Sequence, residues 1–251
     1  MKEKLEIPHR NRKVLGTLYA PEQEKFPLVI FSHGYNGHES DFSRMAEALT
    51  ARGIGAFCFT FCGGSTRDAS GFPTTEMTLF TEKEDLLAAV NELKNRQNVA
   101  ELFLFGASMG GAVSALLADE IPRSINGLIL LFPALCIADD WNKRFPNAAD
   151  IPERLDHWGM ELGRNFFLTA RAIDFAAPKT FEKPVMILHG KQDAIVPFRF
   201  AERASENYPN AELHYFTNEG HGFSEEGNEK VFRLLLSFLK KCTKQTKPRL
   251  I

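Results

Sequence analysis

Several protein classes are excluded by what this 251-residue chain lacks. Cysteine is scarce. The four residues Cys58, Cys62, Cys136 and Cys242 form no Cys-x-x-Cys pair and no Cys/His cluster, so neither a disulfide framework nor a zinc site is indicated. Cys58 and Cys62 fall in one predicted strand, which sets them too far apart to bridge each other. The expectation is buried, reduced thiols, as in a reducing compartment. An excess of one charge is also missing. Lys and Arg number 30 against 32 Asp and Glu, a formal net charge of -2, which offers no attraction to nucleic acid or to an anionic membrane. No apolar run is long enough to span a bilayer. Met1-Lys2-Glu3-Lys4-Leu5 lacks the apolar stretch of a signal peptide, so a cytoplasmic protein is expected. Asp and Glu show no recognisable ligand spacing, and no metal or cofactor is expected.

What is present suits one globular domain over residues 1–251. Hydrophobic residues make up 44% and charged residues 25%, enough apolar material for a sizeable core without staples. The 22 phenylalanines supply core and, in part, pocket walls. Leu5 and Ile7, a turn at His9-Arg10-Asn11-Arg12, then Val14, Leu15 and Leu18 read as a hairpin. Short apolar runs at 28–31, 54–61, 102–105, 127–132 and 185–188 read as strands buried on both faces, with 213–216 a shorter candidate. Helical spacing occupies 41–52, 81–96 and 109–119. Val231, Leu234, Leu235, Phe238 and Leu239 mark a final amphipathic helix. Glu82, Glu84 and Asp85 in a first turn, with Lys94 and Arg96 at the end, complement a helix dipole. Strands alternating with helices imply an α/β protein with a mainly parallel sheet covered on both faces.

One interval breaks the rhythm. About fifty residues separate Phe132 from Pro184, too many for one crossover loop. Trp141, Phe145, Trp158, Phe166 and Phe167 stand there among charged residues, which reads as an inserted helical cap over 134–177. The basic tail, 240–249, reads as a frayed, solvated end.

Gly106-Ala107-Ser108-Met109-Gly110 matches Gly-x-Ser-x-Gly. A chain of this composition holds roughly 0.06 such matches by chance, so the setting carries the weight. The motif follows a predicted strand and opens a predicted helix, the context of a nucleophile elbow. The alternative is a Gly-rich helix start that binds an anion. A serine hydroxyl needs a base, and seven histidines compete for that role. His9 lies in a turn, His38 and His157 read as exposed, and His214 lies in a strand pattern. His33 and His189 each end a strand. His221, in Glu219-Gly220-His221-Gly222-Phe223, stands in a Gly-flanked loop between the last strand and the last helix, with room to swing over the serine. An acid must hold that imidazole in one tautomer. Asp193, directly after the 185–188 strand, fits best, with Asp119 and Asp174 as weaker rivals. Two donors must face the developing oxyanion. The N–H of Met109 and the N–H of Tyr35, in Ser32-His33-Gly34-Tyr35-Asn36-Gly37, are the candidates, with Gly34 letting the backbone approach substrate. His33 reads as a brace for that loop.

The chain order Ser108, Asp193, His221, together with His33-Gly34, the 106–110 motif, His189-Gly190 through Asp193 and Val196, and Gly220-His221, resembles the α/β-hydrolase superfamily. Within it, the chain is similar to cinnamoyl/feruloyl esterase-like bacterial serine esterases. The resemblance implies an eight-stranded, mainly parallel sheet with helices on both faces and the cap at 134–177. It also implies a cap aspartate that binds phenolic hydroxyls, which Asp140 would match.

The expected activity is cleavage of a small-molecule carboxylic ester through an acyl-enzyme, with Trp141, Trp158, Phe166 and Phe167 forming an apolar acyl or aryl pocket. A thioesterase, amidase or peptidase with the same triad remains open, as does a non-catalytic binding protein. No sequence feature reports an oligomer interface.

Overall fold

The computed structural model describes residues 1–177 and 179–245. The chain opens with β1 (Lys2–His9), β2 (Arg12–Tyr19) and β3 (Phe26–Ser32), then runs through α1 (Ser43–Thr50), β4 (Gly55–Thr60), α2 (Leu79–Lys94), β5 (Val99–Ala107), α3 (Met109–Glu120) and β6 (Gly127–Leu131). The inserted segment contributes α4 (Ile137–Arg144), β7 (Arg154–His157), β8 (Met160–Gly163) and α5 (Arg164–Ala170). The chain then returns to β9 (Val185–Gly190), α6 (Arg199–Asn207), β10 (Ala211–Phe216) and α7 (Glu225–Gln245).

Eight strands form one sheet in the order β1-β2-β4-β3-β5-β6-β9-β10. The β1–β2 and β2–β4 pairs are antiparallel. The remaining five pairs are parallel, as the alternating sequence pattern predicts. Every residue of β4, β6 and β9 is buried, because helices cover both faces of a parallel sheet. Alternation along β3 shows the two faces. Leu28 and Ile30 pack with α2, α3 and α6 on one side, while Val29 and Phe31 pack with α1 and α7 on the other. Each phenylalanine buried fully in these layers, such as Phe31, Phe59 and Phe105, stabilises the fold by roughly 1.5–3 kcal/mol. Pro27 lacks a ladder donor, and the β3–β5 register shifts between Phe26 and Pro27.

Several local readings need correction. The inserted segment is not purely helical, since β7 and β8 pair as an antiparallel ribbon. Their Trp158-Gly159 turn has φ of 50° and 79°, the left-handed backbone that a two-residue hairpin requires. Helix α2 starts at Leu79, two residues before the predicted 81, because Thr78 and Thr81 form a reciprocal capping pair. Glu82 and Asp85, placed by the sequence in a helix first turn that complements the dipole, are fully buried. Asp85 meets Arg12 Nε at 2.7 Å and accepts the Cys62 N–H at 2.9 Å. Neither carboxyl oxygen of Glu82 has a hydrogen-bond partner among the described residues, and burial raises its pKa well above the usual 4.5. Of the tail predicted to fray, residues through Gln245 continue α7; the rest lies outside the described residues. All four cysteines are free and buried, although Cys62 lies just beyond the end of β4.

The β3 strand sits between β4 and β5, and its following helix α1 covers the face opposite to α3. The loops after β3 and β5 therefore diverge at the carboxyl edge of the sheet. Such a divergence opens a crevice where α/β proteins bind ligands.

Candidate active site

At the end of β5 the backbone turns sharply through Ser108, whose φ of 51° and ψ of -120° are strained for a residue with a side chain. The strain is held by close packing. A Cβ on Gly106 would lie 2.3 Å from the Gly110 carbonyl oxygen, and one on Gly110 would lie 2.3 Å from that of His33. Only glycine fits at either flank. The Ser108 N–H donates to the Leu131 carbonyl at 2.9 Å. The Ser108 side chain is thereby directed into the crevice.

Chain order separates Ser108, Asp193 and His221, and the fold joins them. His221 Nε2 lies 2.9 Å from Ser108 Oγ, and His221 Nδ1 lies 2.8 Å from Asp193 Oδ2. Asp193 follows β9 and its side chain is buried completely. Its Oδ1 accepts the N–H groups of Ile195 and Val196 at 2.9 and 2.8 Å. Burial on its own would raise the carboxyl pKa. Hydrogen bonds from His189, His221 and the Val196 N–H outweigh that and hold it below the ordinary carboxylate range. An ionised Asp193 accepting Nδ1–H leaves the His221 Nε2 lone pair facing the serine hydroxyl. His189, buried beside this pair, approaches the Val196 carbonyl at 2.8 Å and Asp193 Oδ2 at 3.4 Å. The rival acids lie elsewhere. Asp119 binds the N–H groups of Thr180 and Phe181, and Asp174 that of Ala176.

The loop after β3 lies directly over Ser108, since a Cβ on Gly34 would sit 3.1 Å from Ser108 Cβ. His33 is fully buried; its Nδ1 pairs with the Gly34 carbonyl at 2.7 Å and its Nε2 accepts the Phe61 N–H at 3.0 Å. Burial lowers its pKa to about 4, so the ring is neutral and braces the loop. Met109 is the first residue of α3, where no intrahelical acceptor exists for its N–H.

A cavity of about 380 Å³ opens over these groups, lined by Tyr35, Ser108, Met109, Asp140, Trp141, Trp158 and Phe166 among others. Its size suits a small organic ligand. Phe167 is absent from the lining. It is fully buried and packs edge-on behind Trp141 at 4.7 Å, because successive residues on α5 point about 100° apart. Sequence reasoning missed several walls. Ile137, Asp140, Trp141 and Arg144 all line the cavity at the i, i+3, i+4, i+7 spacing of one helical face, so reading 137–144 as a helix would have added Ile137 and Arg144. His157, read as exposed, is half-buried in the cavity wall between Trp141 and Trp158. Ala134, Cys136, Ala194, Ile195 and Val196 are the remaining lining residues.

Residues 23–160, more than half of the chain, match the serine aminopeptidase S33 family. The chain belongs to that family, an α/β hydrolase. Residues 169–248 of this hydrolase match the TAP-like protein family. Among solved structures it is similar to Est1E from Butyrivibrio proteoclasticus with ferulic acid bound, at 27% identity and a TM-score of 0.88, covering 96% of this chain and 99% of that one. It is 26% identical to the AB hydrolase superfamily protein YisY of Bacillus subtilis, over 84% of this chain and 90% of that protein. A segment covering 43% of the chain is 30% identical to monoglyceride lipase of Rattus norvegicus and spans only 35% of that lipase. No helix among the described residues is long and apolar enough to cross a membrane.

Proposed function

We propose that this hydrolase is a serine carboxylic-ester hydrolase acting on short acyl or aryl esters. The carrying observation is the unbroken hydrogen-bond chain from Ser108 Oγ through His221 to Asp193, at the floor of an apolar cavity. In this reading His221 Nε2 takes the hydroxyl proton as Ser108 attacks the ester carbonyl, and Asp193 stabilises the imidazolium. The N–H groups of Met109 and Tyr35 receive the oxyanion. His221 returns the proton to the departing alcohol, and water then repeats the sequence on the acyl-enzyme. No metal or cofactor enters these steps.

Residues 134–177 act as a cap on a single domain, and Trp141, Trp158 and Phe166 form the acyl wall. The ferulic acid bound to Est1E supports an aryl acyl group, with Asp140 at the cavity as its polar contact. The partner is a small ester, with no nucleic acid or membrane surface involved. The free, buried thiols support a cytoplasmic setting.

A second reading, peptide cleavage, is favoured by the family's description as serine aminopeptidase. An aminopeptidase must hold a free substrate amine, and Asp140 is the one carboxylate among the residues lining the cavity, sharing it with Arg144. The mixed charge supports the ester reading over the peptide one. Hydrolysis of p-nitrophenyl acetate and butyrate by Ser108→Ala tests the proposal. Turnover falls at least about 10⁴-fold in a protein that stays folded; retained turnover rejects it. Faster cleavage of an aminoacyl p-nitroanilide than of either ester would favour the second reading.

A further inference from the structure

The oxyanion loop has two kinds of anchor. His33 is tied to the body of the protein through the Phe61 N–H. Asn36, at φ 53°, is tied there through its Oδ1, which accepts the Thr66 N–H at 2.8 Å. Tyr35 stands between them and reaches the other way. Its hydroxyl donates to the His157 carbonyl at 2.6 Å, with the Met160 carbonyl at 3.4 Å. Those two carbonyls flank the Trp158-Gly159 turn of the cap hairpin. The Tyr35 ring also meets the rings of His157 and Trp158 edge-on, at 5.3 and 6.1 Å. Burial raises the phenol pKa, which keeps the hydroxyl a donor at neutral pH.

The hairpin buries Met160 and Leu162 in the core. Its base is fastened by the Thr74 hydroxyl on the Glu161 carbonyl at 2.6 Å and by close packing of Gly163 on Thr75. Its tip is exposed, with 65% of Trp158 in solvent, and Gly159 has open space around it. At the tip His157 also meets the Trp141 ring edge-on at 5.0 Å, and the Tyr35 hydroxyl supplies the hydrogen bond that seats the turn.

We propose that Tyr35 is a positioning residue whose hydroxyl couples the cap hairpin to the oxyanion loop, so that seating of the hairpin sets the aim of the Tyr35 N–H. The inference rests on the ester-hydrolase reading above. A donor displaced from the oxyanion weakens transition-state binding while leaving ground-state binding in place. Both acylation and deacylation use that donor, so the loss falls on kcat whichever step limits turnover.

The test compares full-length wild type, Tyr35→Phe, Gly159→Ala and the double variant. Phenylalanine keeps the ring and the main-chain N–H and removes only the tether. Alanine at φ 79° disturbs the hairpin tip from the other end without touching the loop. Steady-state kinetics with p-nitrophenyl acetate and butyrate give kcat and KM, and a fluorophosphonate probe counts competent Ser108. The expected result is that each single variant lowers kcat threefold or more with KM within twofold, labelling stays complete, and the double variant is no slower than the slower single one. A kcat loss below threefold in Tyr35→Phe, a loss carried by KM, or losses that multiply in the double variant would overturn the coupling. If wild type itself neither turns over esters nor takes the probe, the hydrolase reading fails. If wild type does both and Tyr35→Phe matches it, the coupling alone fails.

Discussion

The imidazole of His221 rests against the ring of Phe132, with 4.7 Å between centroids. Phe132 follows β6 at φ 36°, an unusual backbone for a phenylalanine, and its N–H donates to the Leu188 carbonyl at 2.7 Å. Phe223 packs on it at 5.3 Å. The loop that carries His221 thus has an apolar wall, and the ring is held toward Ser108 by shape as well as by Asp193. Phe132→Ala removes that wall. Thermal denaturation should show a cost of about 3 kcal/mol, and kcat should fall several-fold as His221 gains freedom. A variant with wild-type kcat would show that Asp193 alone orients the ring.

Asp193→Asn separates orientation from packing. Asparagine keeps an oxygen for the Ile195 and Val196 N–H groups but offers no anion to Nδ1–H. Loss of the imposed tautomer should lower kcat by about 10⁴-fold, with a circular-dichroism spectrum like that of wild type. A loss below tenfold would assign the acid elsewhere.

Gly110→Ala tests the elbow's packing. The new Cβ would sit 2.3 Å from the His33 carbonyl oxygen and 2.4 Å from that of Ser32, and backbone on that side cannot swing away. Urea denaturation should show a loss of about 3 kcal/mol or more. A fully stable variant would mean that β3 and α3 are more loosely apposed than described.

Glu82 gives the protein a pH signature of definite sign. Its pKa is raised in the folded protein, so the native state keeps a proton that the unfolded chain releases above the ordinary glutamate pKa. Its linkage therefore lowers stability as pH rises through that window. Glu82→Gln has no such proton. The melting temperature of the variant should gain on that of wild type steadily from pH 5 to pH 8. A gap that does not change with pH would mean that the carboxyl ionises freely in the fold.

Much of the architecture was legible because buried parallel strands advertise themselves as short apolar runs, as at 28–31 and 185–188. The Gly-x-Ser-x-Gly turn and the Gly-flanked His221 were equally plain, since Gly106 and Gly110 sit where no Cβ fits and Gly222 holds a φ of 89°. Other features left weaker marks. Helix α6 buries only Phe200, Ala201 and Ala204 beneath a charged surface, too sparse a stripe to stand out. The β7–β8 ribbon depends on Leu155, Met160 and Leu162 across four-residue strands, with its turn marked by Trp158-Gly159 and not by an Asn-Gly or Asp-Gly pair. The inward turn of Glu82 and Asp85 was hidden because their spacing also suits a solvated helix start. Phe166 and Phe167 could not be told apart without knowing how α5 is rotated.

The central claim is that Ser108 is a nucleophile activated by His221, and covalent capture tests it most directly. Wild type and Ser108→Ala are treated with a fluorophosphonate at neutral pH and read by intact-mass spectrometry and peptide mapping. One adduct per chain on Ser108 in wild type, and none in the variant, is the predicted result. An unmodified wild-type chain, or an adduct on any other residue, would contradict it.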